Sequence, residues 1–238
     1  MLVVNCNTSP EITEVIRAGA VTAASQDTEI VAIQPAWGPE SAEGFYESYV
    51  TAAAVLDAVR THDGPFDAVV MAGYGEHGRE GMRQVLDVPV VDITEASAQL
   101  ACLVSYRFGV ATTAVTAVAG IEESLRGAGS WSRCAGVLAT RVPVSAIHQD
   151  NELALQALGE TGRALLDRGA DSIVLGCAGF AGLDRGLEEL LGVPVLDGVA
   201  CAVAVAEALV RLGKVTSKRG PFRAPSATKK WIGWPRTV

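Results

Sequence analysis

Runs of apolar, mostly β-branched residues recur along the chain, separated by longer segments in which apolar positions repeat with helical spacing. The runs fall at Leu2–Val4, Glu29–Ile33, Ala68–Met71, Val88–Val91, Phe108–Ala111, Gly136–Leu138, Ser172–Leu175 and Val193–Leu196. Helical patterns follow several of them, at Ser48–Thr61, Thr94–Tyr106, Asn151–Arg168 and Val199–Leu212. This alternation predicts an α/β protein built on mostly parallel sheets.

Two passages look like copies of one another. "DAVVMAGYG" (Asp67–Gly75) matches "DSIVLGCAG" (Asp171–Gly179) in character, position by position. Each leads through a helical stretch to a second strand, "LDVPVVDITEA" and then "LGVPVLDGVAC". Asp67 to Asp92 spans 25 positions and Asp171 to Asp197 spans 26, so the two units keep register. We therefore expect two similar parallel-sheet α/β lobes related by a pseudo-two-fold. Residues 1–95, with the last helix and tail at about 200–238, would form the first, and 96–199 the second. In open α/β sheets ligands bind beyond the carboxyl ends of the strands, which places a site in the cleft between the lobes.

The repeat bears directly on "VMAGYGEHG" (Val70–Gly78), which contains GxGxxG at Gly73, Gly75 and Gly78. Asp92 ends the following strand at the distance where a dinucleotide turn would place a ribose-binding acid. Yet this is not the first βαβ unit, and its copy "GCAGFAG" keeps the loop while placing Cys177 opposite Gly73. An active-site loop is the better reading, with a tight unliganded turn as the plain alternative. Cys177 follows a strand and precedes a helical stretch. A helix N-terminus there would favour the thiolate and offer N–H groups to an anion or enolate.

Composition narrows the classes. The chain has 238 residues, 49% of them hydrophobic, enough to bury a substantial core. No apolar run reaches membrane-spanning length and no leader is recognised, so a soluble cytoplasmic protein is expected. Net charge is −8, and seven basic residues near the C-terminal end are unopposed by any acid: Lys214, Lys218, Arg219, Arg223, Lys229, Lys230 and Arg236. The remainder holds 12 basic against 27 acidic residues, which argues against a nucleic-acid enzyme. The tail's Trp231 and Trp234 are expected to fold onto the body or a neighbouring subunit. Five cysteines without CxxC pairs rule out an obvious zinc site and argue against a disulfide framework.

At these residues the chain resembles the hydantoin and allantoin racemases of the Asp/Glu racemase superfamily, over nearly its whole length. "VNCNTS" (Val4–Ser9) is similar to their opening Asn-Pro-Asn-Thr/Ser loop, with Cys6 in place of proline. "GPESAEG", "TEASA", "VATT", "VLGCAGF" and "VPVLDGV" resemble further family segments. The resemblance implies cofactor-free proton transfer at a carbon next to a carbonyl, by two cysteines facing each other across the substrate. Backbone donors stabilising the enolate would each contribute about 3–4 kcal/mol. It also implies that Asn7, Thr8, Ser9, Ser41, Gly73, Tyr74, Thr112, Thr113, Gly176, Ala178 and Gly179 bind substrate. It further implies a homo-oligomer with a small-molecule substrate, no cofactor, no metal, and neither nucleic acid nor membrane as partner.

The chain departs from the pattern at one point: the family's first cysteine is replaced by Gly73. Three mechanisms follow. In the first, another group substitutes, with His77 and Glu76 nearest and Tyr74 less basic. In the second, the enzyme is a single-thiol decarboxylase like the arylmalonate decarboxylases. In the third, Cys177 attacks covalently as in maleate isomerases. Cys6 is read as a core or rim residue that could also substitute, while Cys102, Cys134 and Cys201 are read as packing. His148 is read as a helix start, His62 as surface, and Glu95 as either a helix-start charge or an acid behind the site. The leading expectation is a racemase or epimerase with Cys177 as acid/base. A malonate-type decarboxylase comes next, and a non-catalytic small-molecule binder is the reading from another class.

Overall fold

The computed structural model describes residues 1–140 and 151–226, with 228 and 232. His148 and the tail residues Lys229, Lys230, Trp231, Trp234 and Arg236 lie outside the described residues, and so do the expectations attached to them.

Among the described residues, eight strands form two parallel sheets. The first holds β1 (Leu2–Asn5), β2 (Val31–Ile33), β3 (Val69–Ala72) and β4 (Val90–Asp92), in the order β2-β1-β3-β4. The second holds β5 (Phe108–Thr112), β6 (Cys134–Ala139), β7 (Ser172–Leu175) and β8 (Val195–Asp197), in the order β6-β5-β7-β8. All eight apolar runs are strands, and the two sheets repeat one topology. Val4 pairs with Met71 in one sheet and Ala111 with Leu175 in the other. Carried along the repeat, this makes Asn5 the counterpart of Thr112, Cys6 of Thr113, Ala72 of Gly176 and Gly73 of Cys177.

The helices are α1 (Pro10–Ala23), α2 (Phe45–Arg60), α3 (Arg79–Val85), α4 (Ile93–Val104), α5 (Val118–Gly127), α6 (Asn151–Asp167), α7 (Asp184–Leu191) and α8 (Gly198–Arg211). Helix α2 begins three residues earlier than its apolar pattern suggests, because Gly44 supplies an extended N-cap before Phe45. Asp92 and Asp197, the acids that mark the repeat, are the N-caps of α4 and α8. Each carboxylate accepts two backbone N–H groups of the first turn, at Thr94 and Glu95 or at Val199 and Ala200.

The core follows from period-two alternation on strands buried on both faces. Leu2, Val4, Val69 and Met71 pack outward with Val55, Val59 and Met82. Ala111, Ile173 and Leu175 do the same with Leu158 and Leu165. The alternate residues, Val3, Val70, Val110 and Val174, face one shared cluster with Ile93, Ala98, Val199 and Ala202. Helix α4, which leaves the first sheet, packs on β7 and β8, and α8, which leaves the second, packs on β3 and β4. This exchange of helices joins the lobes through one continuous core. Beyond α8, Lys218 Nζ donates to the carbonyls of Arg83, Gln84 and Leu86, and Gln84 Nε2 donates to the Arg223 carbonyl at 2.9 Å. The described part of the basic tail thus lies over the end of α3. Among the described residues, no helix is long and apolar enough to cross a membrane.

Candidate active site

In each sheet the order 2-1-3-4 sends the chain to opposite sides after the two central strands. Their carboxyl ends are therefore the topological switch points where α/β proteins bind ligands. The ends of β1, β3, β5 and β7 converge on one inner cleft of about 50 Å³. Cys6, Asn7, Gly73, Tyr74 and His77 line it from the first lobe, and Thr112, Thr113, Gly176, Cys177, Ala178 and Gly179 from the second. Ser41, Ala42 and Glu43, from the connection between β2 and α2, lie across its mouth. A larger outer cavity of about 510 Å³ adjoins it and shares Ala42, Glu43, Tyr74, His77 and Ala117 with it.

Gly176 must be glycine to set the second-lobe loop this close to β5. A Cβ there would lie 2.6 Å from Val110 Cγ1 and 3.0 Å from the Ala111 carbonyl oxygen. Gly176 N–H donates to that same oxygen at 2.7 Å, and Thr112 Oγ1 donates to the Gly176 carbonyl at 2.9 Å. Cys177 follows in an extended conformation and caps a single 3₁₀ turn, Ala178–Phe180. The expected α-helix does not start at this point, since α7 begins only at Asp184. Burial pushes the Cys177 thiol up to about 11, and Glu43 adds to the rise, whereas the Gly179 N–H and the Thr113 hydroxyl favour the thiolate.

The first-lobe loop is organised by Asn5, which sequence reasoning left out. Its Nδ2 donates to Asn7 Oδ1, to the Ser9 carbonyl and to Thr13 Oγ1, and its Oδ1 accepts from the Asn7 N–H. Asn7 Oδ1 also accepts from the Ser9 N–H, so Nδ2 is the group Asn7 can offer to a ligand. Two of the expected binding residues do not line the cleft. Thr8 is tied to the Pro39 carbonyl through both its N–H and its Oγ1. Ser9 N-caps α1 by accepting from the Ile12 N–H at 3.3 Å.

The loop after β3 corrects the list of catalytic candidates. Glu76 turns out of the inner cleft and lines the outer cavity. Its Oε1 accepts from the Gly78 and Arg79 N–H groups, and Oε2 pairs with the Arg79 guanidinium at 3.0 Å. Burial pushes its carboxyl up to about 7, with Glu80 adding to the rise and Arg79 opposing it. His77 does enter the cleft, but burial pushes its imidazole down to about 4, so it is neutral near pH 7 and not the group poised at neutrality that its type suggested. Its ring carbon Cδ2 would be the atom nearest a Cβ on Gly73, and its buried Nδ1 has no hydrogen-bond partner among the described residues. The Tyr74 hydroxyl points into the shared core, where it accepts from Ser97 Oγ, and burial raises its pKa further.

Beneath this loop, Gly75 is clamped from both lobes. Its N–H donates to Thr94 Oγ1 at 2.8 Å, and its carbonyl accepts from Ser124 Oγ at 3.1 Å. Buried Arg79 pairs with Asp92, Glu95, Glu76 and Glu80. Asp92 is therefore a buried helix cap facing an arginine and is not free for a ribose, which removes the support for a dinucleotide turn. Glu95 belongs to the same ion-pair network, with Arg83 at 2.5 Å.

Cys6 packs against the core of the first lobe and borders the inner cleft, as a core or rim residue would. It is partly exposed in the inner cleft, and its side chain shares the space in front of Gly73 with the His77 ring. A Cβ on Gly73 would lie 2.6 Å from Cys6 Cβ and 3.0 Å from Cys6 Sγ. Burial pushes the Cys6 thiol up to about 12, and the proximity of Cys177 is the next cause. The signal in the sequence was the replacement of proline within "VNCNTS". Among the described residues, no three His, Cys, Asp or Glu side chains are grouped to hold a metal ion.

Residues 1–206 match the family described as Asp/Glu/Hydantoin racemase. The chain is 36% identical over 233 residues to a hydantoin racemase from Pseudomonas sp. (strain NS671), covering 97% of this chain and 93% of that one. Among solved structures it resembles an allantoin racemase from Pseudomonas fluorescens, with a TM-score of 0.95 and 48% identity over 98% of this chain and 99% of the other. An allantoin racemase from Klebsiella pneumoniae is 36% identical, with a TM-score of 0.93 over 99% of this chain and 96% of the other. Arylmalonate decarboxylase shares the fold, at a TM-score of 0.54 and 19% identity over 88% of this chain and 91% of the other.

Proposed function

Because this chain belongs to the Asp/Glu/Hydantoin racemase family, we propose that it is a cofactor-independent racemase acting on a hydantoin-, allantoin- or similar amino-acid-derived substrate. The centre it inverts is the carbon next to a carbonyl. The observation that carries this reading is the inner cleft itself, where two copies of one switch-point loop face each other with Cys177 on one side. Substrate and product of a racemase are mirror images, so a site built from two facing copies suits both.

The barrier to such a reaction is the weak acidity of the α C–H bond. Cys177 Sγ is the proton-transfer group of the second lobe, and Thr113 and Gly179 hold its anion. The Asn7 amide is positioned to donate to a carbonyl oxygen as negative charge develops on it. The small inner volume receives the reacting carbon and its carbonyl. The outer cavity, bordered by Phe45, Tyr49 and Ile121, receives the substituent that makes the carbon chiral.

A single-thiol decarboxylase has no need of a proton-transfer group opposite Cys177. Here that position is lined by Cys6, so the racemase reading is favoured. The test is to incubate each enantiomer of substituted hydantoins, allantoin and free amino acids in deuterium oxide. Inversion with deuterium at the α-carbon is the expected result. Absence of both inversion and exchange from every substrate overturns it, and α-labelled monocarboxylic acid formed when a substituted malonate is supplied under the same conditions supports the decarboxylase instead.

A further inference from the structure

We infer that Cys6, at the end of β1, is the second catalytic thiol of this enzyme and acts on the face of the substrate opposite Cys177. The inference rests on the racemase reading above.

Three observations converge. The first is register. Cys6 is the counterpart of Thr113, and Gly73 is the counterpart of Cys177. In the second lobe the thiol stands at the end of β7 with a hydroxyl beside it at the end of β5. In the first lobe the glycine stands at the end of β3 with the thiol beside it at the end of β1. The thiol has moved sideways by one strand and still reaches the same cleft.

The second is space. The glycine at 73 leaves room in front of the strand, and Cys6 and His77 fill it together: the Cβ of any residue at 73 would sit closest to the ring carbon Cδ2 of His77, then 2.6 Å from Cys6 Cβ and 3.0 Å from Cys6 Sγ, so Cys6 brings the nearest sulfur to that point. A sulfur within 3.0 Å of that point lies where a short side chain from position 73 would reach. Glycine at 73 is thus matched to cysteine at 6 and histidine at 77, and a cysteine at 73 has no room while both are in place.

The third is chemistry. Cys6 and Cys177 are both partly exposed within one cleft, and Cys177 is close enough to disfavour the charged form of Cys6. The remaining candidates fail on geometry. Glu76 faces the outer cavity, the Tyr74 hydroxyl faces Ser97, and His77 turns a ring carbon toward Gly73.

With one sulfur as thiolate and the other as thiol, the step balances without any co-reactant. The Cys6 thiolate takes the α-proton from one enantiomer, and the C–H electron pair moves onto the carbonyl as an enolate. The Cys177 thiol then donates its proton to the opposite face, the enolate pair forms the new C–H bond, and Cys177 is left as thiolate. The other enantiomer runs the sequence in reverse.

The test uses the full-length enzyme and its Cys6→Ser and Cys177→Ser variants, with each substrate enantiomer supplied separately in deuterium oxide. Racemisation is expected to fall by about 10²–10⁴-fold in each variant. Each variant should still exchange the α-proton of one enantiomer without inverting it, and the two variants should differ in which enantiomer that is. A merely structural role for Cys6 would not produce this complementary split. Racemisation by Cys6→Ser within about threefold of wild type overturns the inference while leaving the racemase reading intact. Equal loss of exchange from both enantiomers, in a variant that keeps the wild-type unfolding temperature, overturns it as well. If Cys6→Ser does not fold, alkylation of the wild-type enzyme decides the matter: racemisation should be lost in step with labelling of Cys6, and activity retained after complete labelling of Cys6 overturns the inference. Failure of the wild type to racemise any substrate overturns the racemase reading, and this inference falls with it.

Discussion

Just beyond the end of β7 stands a thiol, with Thr113 beside it beyond the end of β5. At the end of β3 stands a glycine, with a thiol beside it on β1. The two lobes share strand order, register and the aspartate caps of the helices that follow, yet they set their sulfurs on different strands. Backbone architecture can therefore be duplicated faithfully while the chemical groups exchange places between neighbouring strand ends. Both sulfurs nevertheless line one cleft.

The strongest way to break this comparison is to remove the thiol of the second lobe and ask whether an unrelated cysteine matters as much. Cys177→Ser should lower racemisation by about 10²–10⁴-fold, whereas Cys134→Ser, at a buried thiol away from the cleft, should leave kcat within a few-fold. Steady-state rates with both enantiomers test this, and near-equal losses in the two variants would remove Cys177 from the mechanism.

Protonation is the next lever. Burial holds both thiols up, near 11 and 12, so a thiolate is scarce at neutral pH in the free enzyme. Raising the pH increases the thiolate fraction, and kcat/KM should climb by nearly tenfold per unit between about pH 7 and 9. A profile that is flat across that range would show that the resting enzyme already carries a thiolate.

Packing at the two strand ends differs in a measurable way. Gly176→Ala forces a methyl against Val110 and the Ala111 carbonyl and should cost about 1–3 kcal/mol in urea unfolding. Its counterpart Ala72 already carries a Cβ, so Ala72→Gly should cost about 0.5–1 kcal/mol, through backbone entropy and lost contacts. The two caps should each contribute a similar amount: Asp92→Ala and Asp197→Ala are expected to lower stability by about 0.5–2 kcal/mol. A much larger cost at Asp92 would locate the difference in its contact with Arg79.

The smallest effects should be of opposite sign. Thr113→Val removes a hydroxyl that favours the Cys177 thiolate, and should lower kcat/KM at pH 7 by a few-fold. Glu43→Gln removes a charge that disfavours it, and should shift the alkaline rise in kcat/KM to lower pH. If both variants moved the pH profile in the same direction, the electrostatic account of Cys177 would fail.

The strands were legible in the sequence because a parallel strand covered on both faces must be apolar at successive positions, and eight such runs stand out. The repeat was legible because both copies need an aspartate to cap the helix after the second strand. Cys177 was legible from that repeat. That Cys6 comes to lie against Gly73 was not, because it depends on β1 lying beside β3, a neighbourhood created by sheet order across nearly seventy residues of chain. Glu76 misled for the complementary reason. It is close to Gly73 in the chain, but its carboxylate turns back to cap α3 and meet Arg79 on the far side of the loop. Thr8 and Ser9 have the polar character of binding residues, and that polarity is taken up by the Pro39 carbonyl and by the first turn of α1.

The unlike sulfur positions meet one constraint that no protein can alter. In an achiral solvent two enantiomers have equal free energies, so their equilibrium constant is one, and kcat/KM must be identical in the two directions. A thiol on β1 and a thiol on β7, with different neighbours, can make one mirror image bind more tightly. In that case the same factor must slow its turnover. The lateral shift of one sulfur can therefore show itself in kcat and in KM, always in equal proportion, and never in their ratio.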